Sequence, residues 1–207
     1  MIIPGILEKS LAEIIKKVEQ VQDVSQIIQI DVADGILVDG ESFKDVDKLD
    51  GLQTTAGIEL HLMVQTPLSY VNYQTVNIKK MLVQVEADHV REFLQFCEQL
   101  GFDIGLSISP DTPNSALDPY IHLVDYVQFM AVAPGAQGRN FEPKVLEKIK
   151  EFRIKNPNVV TQVDGHMDEE TIAIVKPLNV NHYVVGSAIF NNPEPAAKKM
   201  ALENLVN

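Results

Sequence analysis

The sequence predicts an α/β fold, a compact (β/α)8 TIM barrel, from three observations. Short β-branched or apolar runs alternate with amphipathic helical stretches, eight such pairs can be cut by period alone, and no long structureless insert separates them. Alternating strands and helices mean parallel strands joined by right-handed crossovers, and eight of them favour closure over an open sheet. An open doubly wound sheet is the alternative, but no G-x-G-x-x-G follows the first strand.

The first strand is read at Ile2–Ile6. The helix after it is read from Leu11, Ile14, Ile15 and Val18, which share one helical face, with Ser10 three residues before Glu13 as its cap. The second strand, Ile27–Val32, leads into Asp39 to Asp50, the most polar stretch, read as a solvated loop with a short helix; a metal-binding acidic loop is the alternative. Ile58–Met63 is the third strand, and Thr66-Pro67 opens the third helix because proline suits a first helical turn. The fourth pair joins Met81–Val85 to a helix built on Val90, Phe93, Leu94 and Cys97. Ile104–Ile108 precedes Thr112-Pro113 and a short fifth helix. Val124–Val132, Val159–Val163 and His182–Val185 complete the strands.

The 207 residues, 45% of them hydrophobic, are read as one domain, 1–207. A chain of that length buries about 70% of the surface it exposes when unfolded, so its core needs neither disulfides nor a structural metal. Cys97 is the only cysteine and, in its apolar helical setting, reads as a packed thiol. Basic residues number 17 against 29 acidic, a net charge of −12, which argues against a protein that grips nucleic acid. The first residues lack a basic segment leading into a long apolar one, and nowhere do about 18 apolar residues run uninterrupted, so no membrane span is expected and the protein is read as cytoplasmic.

Side chains alternate across a strand, so residues two apart share a face. Gln29 and Asp31 share one in the second strand; His61 shares one with Glu59 and Met63 in the third; Gln162 and Asp164 share one at the end of the seventh. Each set sits at or near the C-terminal end of its strand, where barrels of this kind assemble their active sites. Singly, Asp31 could cap a turn, Asp164 could start the Asp-Gly turn, and His61 could be a satisfied core histidine. Arriving together at one mouth, two aspartates and a histidine point to acid/base or metal chemistry.

Glycines form a second set. Pro134-Gly135-Ala136-Gln137-Gly138 follows the sixth strand, Gly165 the seventh, and Gly186-Ser187 the eighth. Glycine lets a backbone N–H approach an anion, and the loops after strands seven and eight of such barrels often bind phosphate, so a phosphorylated small molecule fits. Each glycine alone also reads as a turn residue.

The chain resembles the ribulose-phosphate 3-epimerase family along almost all of its length. Pro4-Gly5-Ile6-Leu7 resembles its P-S-I-L, Gln29 to Gly35 its H-x-D-V-M-D-G, Glu59 to Met63 its D-x-H-L-M, and Gln84 to Ala87 its H-x-E-A. Ser109 to Pro113 resembles N-P-x-T-P and Met130 to Gly135 M-S-V-N-P-G, while Val163-Asp164-Gly165 and Val185 to Phe190 match the last two signatures. The resemblance implies a metal-dependent enzyme interconverting ribulose 5-phosphate and xylulose 5-phosphate, with Asp31 and Asp164 as the two acid/base groups. It implies Asp31, His61, Asp164 and, as a weak fourth ligand, Gln29 around zinc, manganese or iron, and Met63 and Met130 beside the substrate. Gly138, Gly165, Gly186 and Ser187 fall where the family holds the phosphate of its ketose, and a homo-oligomer is implied as well.

Departures fall inside the site. Gln29 stands where the family has a histidine ligand, and its weak amide oxygen would either lower metal affinity or shift preference toward oxygen-loving ions such as manganese or magnesium. Gly5, Ala33, Gln84 and Ala133 replace serine, methionine, histidine and asparagine. Arg139 stands at the glutamine of the phosphate loop, either touching phosphate or facing solvent, and His166 adds an imidazole after Gly165 that could replace a ligand. An epimerase of another ketose phosphate, such as a hexulose 6-phosphate, and a non-catalytic phosphosugar-binding protein without metal are the alternative readings.

Overall fold

A computed structural model describes residues 1–71 and 78–207. Eight parallel strands close into a barrel in chain order: β1 (Ile2–Ile6), β2 (Ile27–Ala33), β3 (Gly57–Met63), β4 (Ile78–Gln84), β5 (Asp103–Ile108), β6 (Tyr126–Met130), β7 (Val160–Asp164) and β8 (His182–Val185), with β8 returning to β1. Six α-helices are described: α1 (Leu11–Val21), α2 (Val90–Gln99), α3 (Lys144–Lys155), α4 (Glu169–Val175), α5 (Ser187–Phe190) and α6 (Pro195–Val206). None of the described helices is long and apolar enough to cross a membrane.

Each of the eight expected strands forms, though several bounds shift and several connections differ. After β3 and β5 the predicted helices shrink to short 3-10 segments, Pro67–Tyr70, and Asn114–Leu117 with Ile121–Leu123, while the loop after β2 carries its expected short helix as the 3-10 segment Val46–Gly51. Residues 72–77, where the third helix would continue, lie outside the described residues. β4 begins three residues earlier than Met81, because exposed Lys79 and half-buried Lys80 disguise its start; Lys80 stretches over the Tyr126 ring, 4.0 Å from its centroid. β6 is shorter than Val124–Val132, since Ala131 and Val132 already belong to the loop at the mouth.

α1 forms where predicted: Ser10 Oγ accepts from Glu13 N at 3.3 Å, and Ile14, Val18 and Val21 face the barrel. Each such side chain contributes about 1.5–3 kcal/mol when fully buried. The apolar core lies between strands and helices, where the outward residues of each strand, such as Ile28, Ile30 and Val32 of β2, meet the helix faces. Cys97 packs in this layer, and burial pushes its thiol up to about 12, the inert thiol the sequence suggests. Inside the barrel the filling is different. Gln29, Glu59, His61, Gln128 and Gln162 point inward and are fully buried.

Candidate active site

The polar interior follows from register. Asp31 pairs with His61 and Gln29 with Glu59 across β2 and β3; Gln128 pairs with Gln162 and Met130 with Asp164 across β6 and β7. Register partners in parallel strands point the same way, so two polar layers stack inside: Gln29, Glu59, Gln128 and Gln162 below, Asp31, His61, Met130 and Asp164 above. Ser42 fixes the end of β2, its Oγ accepting from Ala33 N and donating to Asp31 O, both at 2.9 Å. Asp34 accepts N–H bonds from Ile36, Leu37 and Gln65, joining the loops after β2 and β3.

Asp31, His61 and Asp164 converge as the alternation suggests. His61 Nδ1 lies 2.9 Å from Asp31 Oδ1 and 3.8 Å from Asp164 Oδ2. One donor atom from each residue falls within 4.8 Å of the others, the only such cluster of metal-binding side chains among the described residues. Among the described residues, the acidic stretch after β2 contributes no group to this cluster. His166 also lies outside the cluster, exposed, with Nδ1 2.8 Å from Arg139 O.

Two carboxylates and an imidazole are a donor set that suits a divalent cation. Gln29 sits beside them but presents nitrogen: its Nε2 donates to Asp31 Oδ1 at 2.8 Å and Asp164 Oδ2 at 3.0 Å. An amide N–H is a hydrogen-bond donor, so the arrangement fits a cation on three ligands, with the Gln29 oxygen pointing away.

Charge is poised here. Burial and the negative charge of Asp31 push the Asp164 carboxyl up to about 7, against the pull of His61 and the Gln29 hydrogen bond. Burial works to lower the pKa of His61, but the hydrogen bond and charge of Asp31, with Asp164 and Glu59 behind, outweigh it and hold the imidazole above its usual range. Glu59, one layer down, is raised by burial, opposed by Lys80 and the Gln162 hydrogen bond.

A cleft with about 780 Å³ of empty volume opens over this floor. Asp31 and Asp164 keep 11% and 14% of their side chains exposed, which is how they reach it; Met63 and Met130 line it between them. Gly138, Arg139, Gly165, Gly186 and Ser187 form the other wall. His61 and Gln29 lie beneath the floor and do not line the cleft. Gly165 has φ +114°, and a Cβ there would stand 2.9 Å from Val132 N. At Gly135, φ +102°, a Cβ would collide with Asp39 O, so the loops after β2 and β6 meet backbone to backbone. Gly5 is filled rather than vacant, for a Cβ there would lie 2.7 Å from Val184 Cγ1. Arg139 is partly buried, donating to Ala133 O at 3.2 Å and standing 3.8 Å from Asp39. Gln128 is the residue that sequence reasoning missed: its Nε2 donates to Asp164 Oδ2 at 3.2 Å and Met130 Sδ at 3.3 Å. The signal was its place two residues before Met130, on the same face.

The fold and site define a (β/α)8 barrel enzyme with two carboxylates and an imidazole gathered at the C-terminal ends of its strands. The profile of the ribulose-phosphate 3-epimerase family matches residues 1–190. A ribulose-phosphate 3-epimerase of Aquifex aeolicus is 31% identical over 155 residues, covering 72% of this chain and 70% of its own; that of Helicobacter pylori is 27% identical over 212 residues, covering 99% and 95%. The chain belongs to the ribulose-phosphate 3-epimerase family and is an epimerase. Among solved structures, KGPDC from Streptococcus mutans superposes with a TM-score of 0.72 at 14% identity, covering 99% of this chain and 96% of its own, which speaks to the barrel alone.

Proposed function

We propose that the protein interconverts D-ribulose 5-phosphate and D-xylulose 5-phosphate by two-base proton transfer between Asp31 and Asp164. The observation that carries this reading is the pair itself: two carboxylates from β2 and β7 reach one cleft floor, bridged by a single Gln29 amide nitrogen at 2.8 and 3.0 Å. Inverting a carbon beside a carbonyl needs one group to take the proton from one face and another to return a proton to the opposite face. The ionised carboxylate accepts the C3 proton, the electron pair passes into the enediolate, and the protonated carboxyl delivers its proton to the other face. An Asp164 held near 7 beside Asp31 suits a pair that shares one proton.

Asp31, His61 and Asp164 would hold a divalent ion, zinc, manganese or iron, which when bound supplies positive charge to the enediolate oxygens. Met63 and Met130 offer polarizable surface to a planar intermediate. The loops carrying Gly138, Gly165, Gly186 and Ser187 would take the phosphate on backbone N–H groups, with Arg139 adding charge at the rim, so an acidic protein can still bind an anionic sugar.

The test is conversion of ribulose 5-phosphate by metal-stripped protein and by protein reloaded separately with zinc, manganese, iron or magnesium. Turnover restored by one ion supports the reading. No turnover with any ion in folded protein overturns it, and a parallel panel of hexulose 6-phosphates tells another ketose phosphate from a binding protein.

A further inference from the structure

The side chain that organises the polar interior is Gln162, one layer below Asp164 on β7. Its Nε2 donates to three oxygens, Glu59 Oε1 at 2.6 Å, Gln128 Oε1 at 2.8 Å and Gln29 Oε1 at 3.1 Å. An amide nitrogen has two hydrogens, so one is shared. Its own Oε1 is buried without a partner among the described residues. Reversing Gln162 alone would set an oxygen against three oxygens at those distances, so its neighbours determine its orientation.

The consequence passes upward. Gln29, its oxygen occupied by Gln162, has only Nε2 left for the mouth, and Nε2 is what meets Asp31 and Asp164. Gln128 repeats the pattern, oxygen down to Gln162 and nitrogen up to Asp164. Two amides from two strands thus turn nitrogen toward the carboxylates that could ligate a cation.

We infer that Gln162 is the positioning residue of this site: by donating hydrogen bonds to the downward-facing oxygens, it keeps Gln29 a donor to the carboxylate pair and holds the Gln29 oxygen away from any cation on Asp31, His61 and Asp164. Metal affinity is then set one layer below the ligands. Gln29 becomes a ligand only when residue 162 stops donating. The inference rests on the metal site of the proposed function and not on its substrate.

The test is calorimetric titration of Mn²⁺ into the full-length, metal-stripped protein, with no turnover read. In Gln162→Met the donor is removed at similar volume and without charge, which frees Gln29 to reverse, nitrogen down and oxygen toward the ion. Mn²⁺ should bind about tenfold tighter or more, the size of effect that partners of metal ligands exert, and the gain should vanish when Gln29→Leu is added. Unchanged affinity overturns the inference. So does a gain that survives Gln29→Leu, which would be residue 162 acting without the amide. If Gln162→Met fails to fold by circular dichroism, Gln162→Leu removes the donor with another apolar side chain; tightening that depends on Gln29 supports the inference and unchanged affinity overturns it. Absence of epimerase turnover would sink the proposed function and leave these titrations readable.

Discussion

Asp164→Asn should make the metal-free protein more stable while removing its activity, and the gain should grow with pH. The Asp164 carboxyl titrates at 3.8 in the unfolded chain and about 7 in the fold, so the native state holds a proton that the unfolded state has released. A folded pKa above the unfolded one gives stability that is fully present below 3.8 and lost as pH rises through 7. Each unit is worth about 1.4 kcal/mol, so of the roughly three units about two fall between pH 5 and pH 8, or about 3 kcal/mol. Asparagine keeps an oxygen for the Gln29 and Gln128 amides and cannot ionise. His61 acts with the same sign: Asp164 is one of the charges raising it, so the variant also loses less imidazole-linked stability as pH rises. The assay is urea unfolding of both proteins in a chelator at several pH values. A difference that stays flat from about pH 5 to pH 8, or that shrinks, would refute the assigned burial and charge coupling.

Asp31→Asn should lower kcat by about 10²–10⁴ with the circular dichroism spectrum unchanged, because one of the two proton-transfer groups is gone; stopped-flow or coupled turnover of ribulose 5-phosphate checks it. Arg139→Ala should raise KM more than it lowers kcat, as expected of a cleft-lining residue that would bind substrate and takes no part in the proposed proton transfer, and steady-state kinetics separate the two. Gly165→Ala should cost about 2 kcal/mol or more, since a φ of +114° suits glycine and the new Cβ would crowd Val132 N at 2.9 Å. The urea midpoint reports it.

How far the sequence could be read depended on what kind of constraint acted at each place. Strands were legible because burial on both faces leaves β-branched runs, and Ile2–Ile6 or His182–Val185 carry their own boundaries. The helices after β3 and β5 were not. Those connections are short 3-10 segments around residues such as Pro67 and Asn114, and segments this short leave no period to detect. Asp31, His61 and Asp164 stood out because a charged group on an inward strand position is expensive and rare. Gln128 did not, for in Tyr126-Val127-Gln128-Phe129-Met130 one amide among apolar neighbours looks like an isolated polar residue, and its partners lie on β3 and β7. Amide orientation was illegible for the same reason. Which end of Gln29 faces the mouth is decided by Gln162, 133 residues away in sequence and on another strand.

Neutral amides are also the physical answer to a charge problem inside the barrel. Asp31, Glu59 and Asp164 are three carboxyls in a closed space, and His61 is the one group among these inward polar layers able to carry positive charge. A lysine or arginine among them would pair with an aspartate and hold it ionised, fixing its pKa low. Amide N–H groups stabilise a carboxylate less, so Asp164 remains able to sit near 7, as the proposed proton exchange with substrate requires. The same logic extends to the proposed phosphate wall, where Gly138, Gly165 and Gly186 would offer backbone N–H groups and the one guanidinium, Arg139, donates to Ala133 O. Keeping fixed cations out of the floor is what the proposed sharing of a proton by two carboxylates requires, and backbone N–H groups at the wall are what would let a chain with a net charge of −12 take the proposed phosphate.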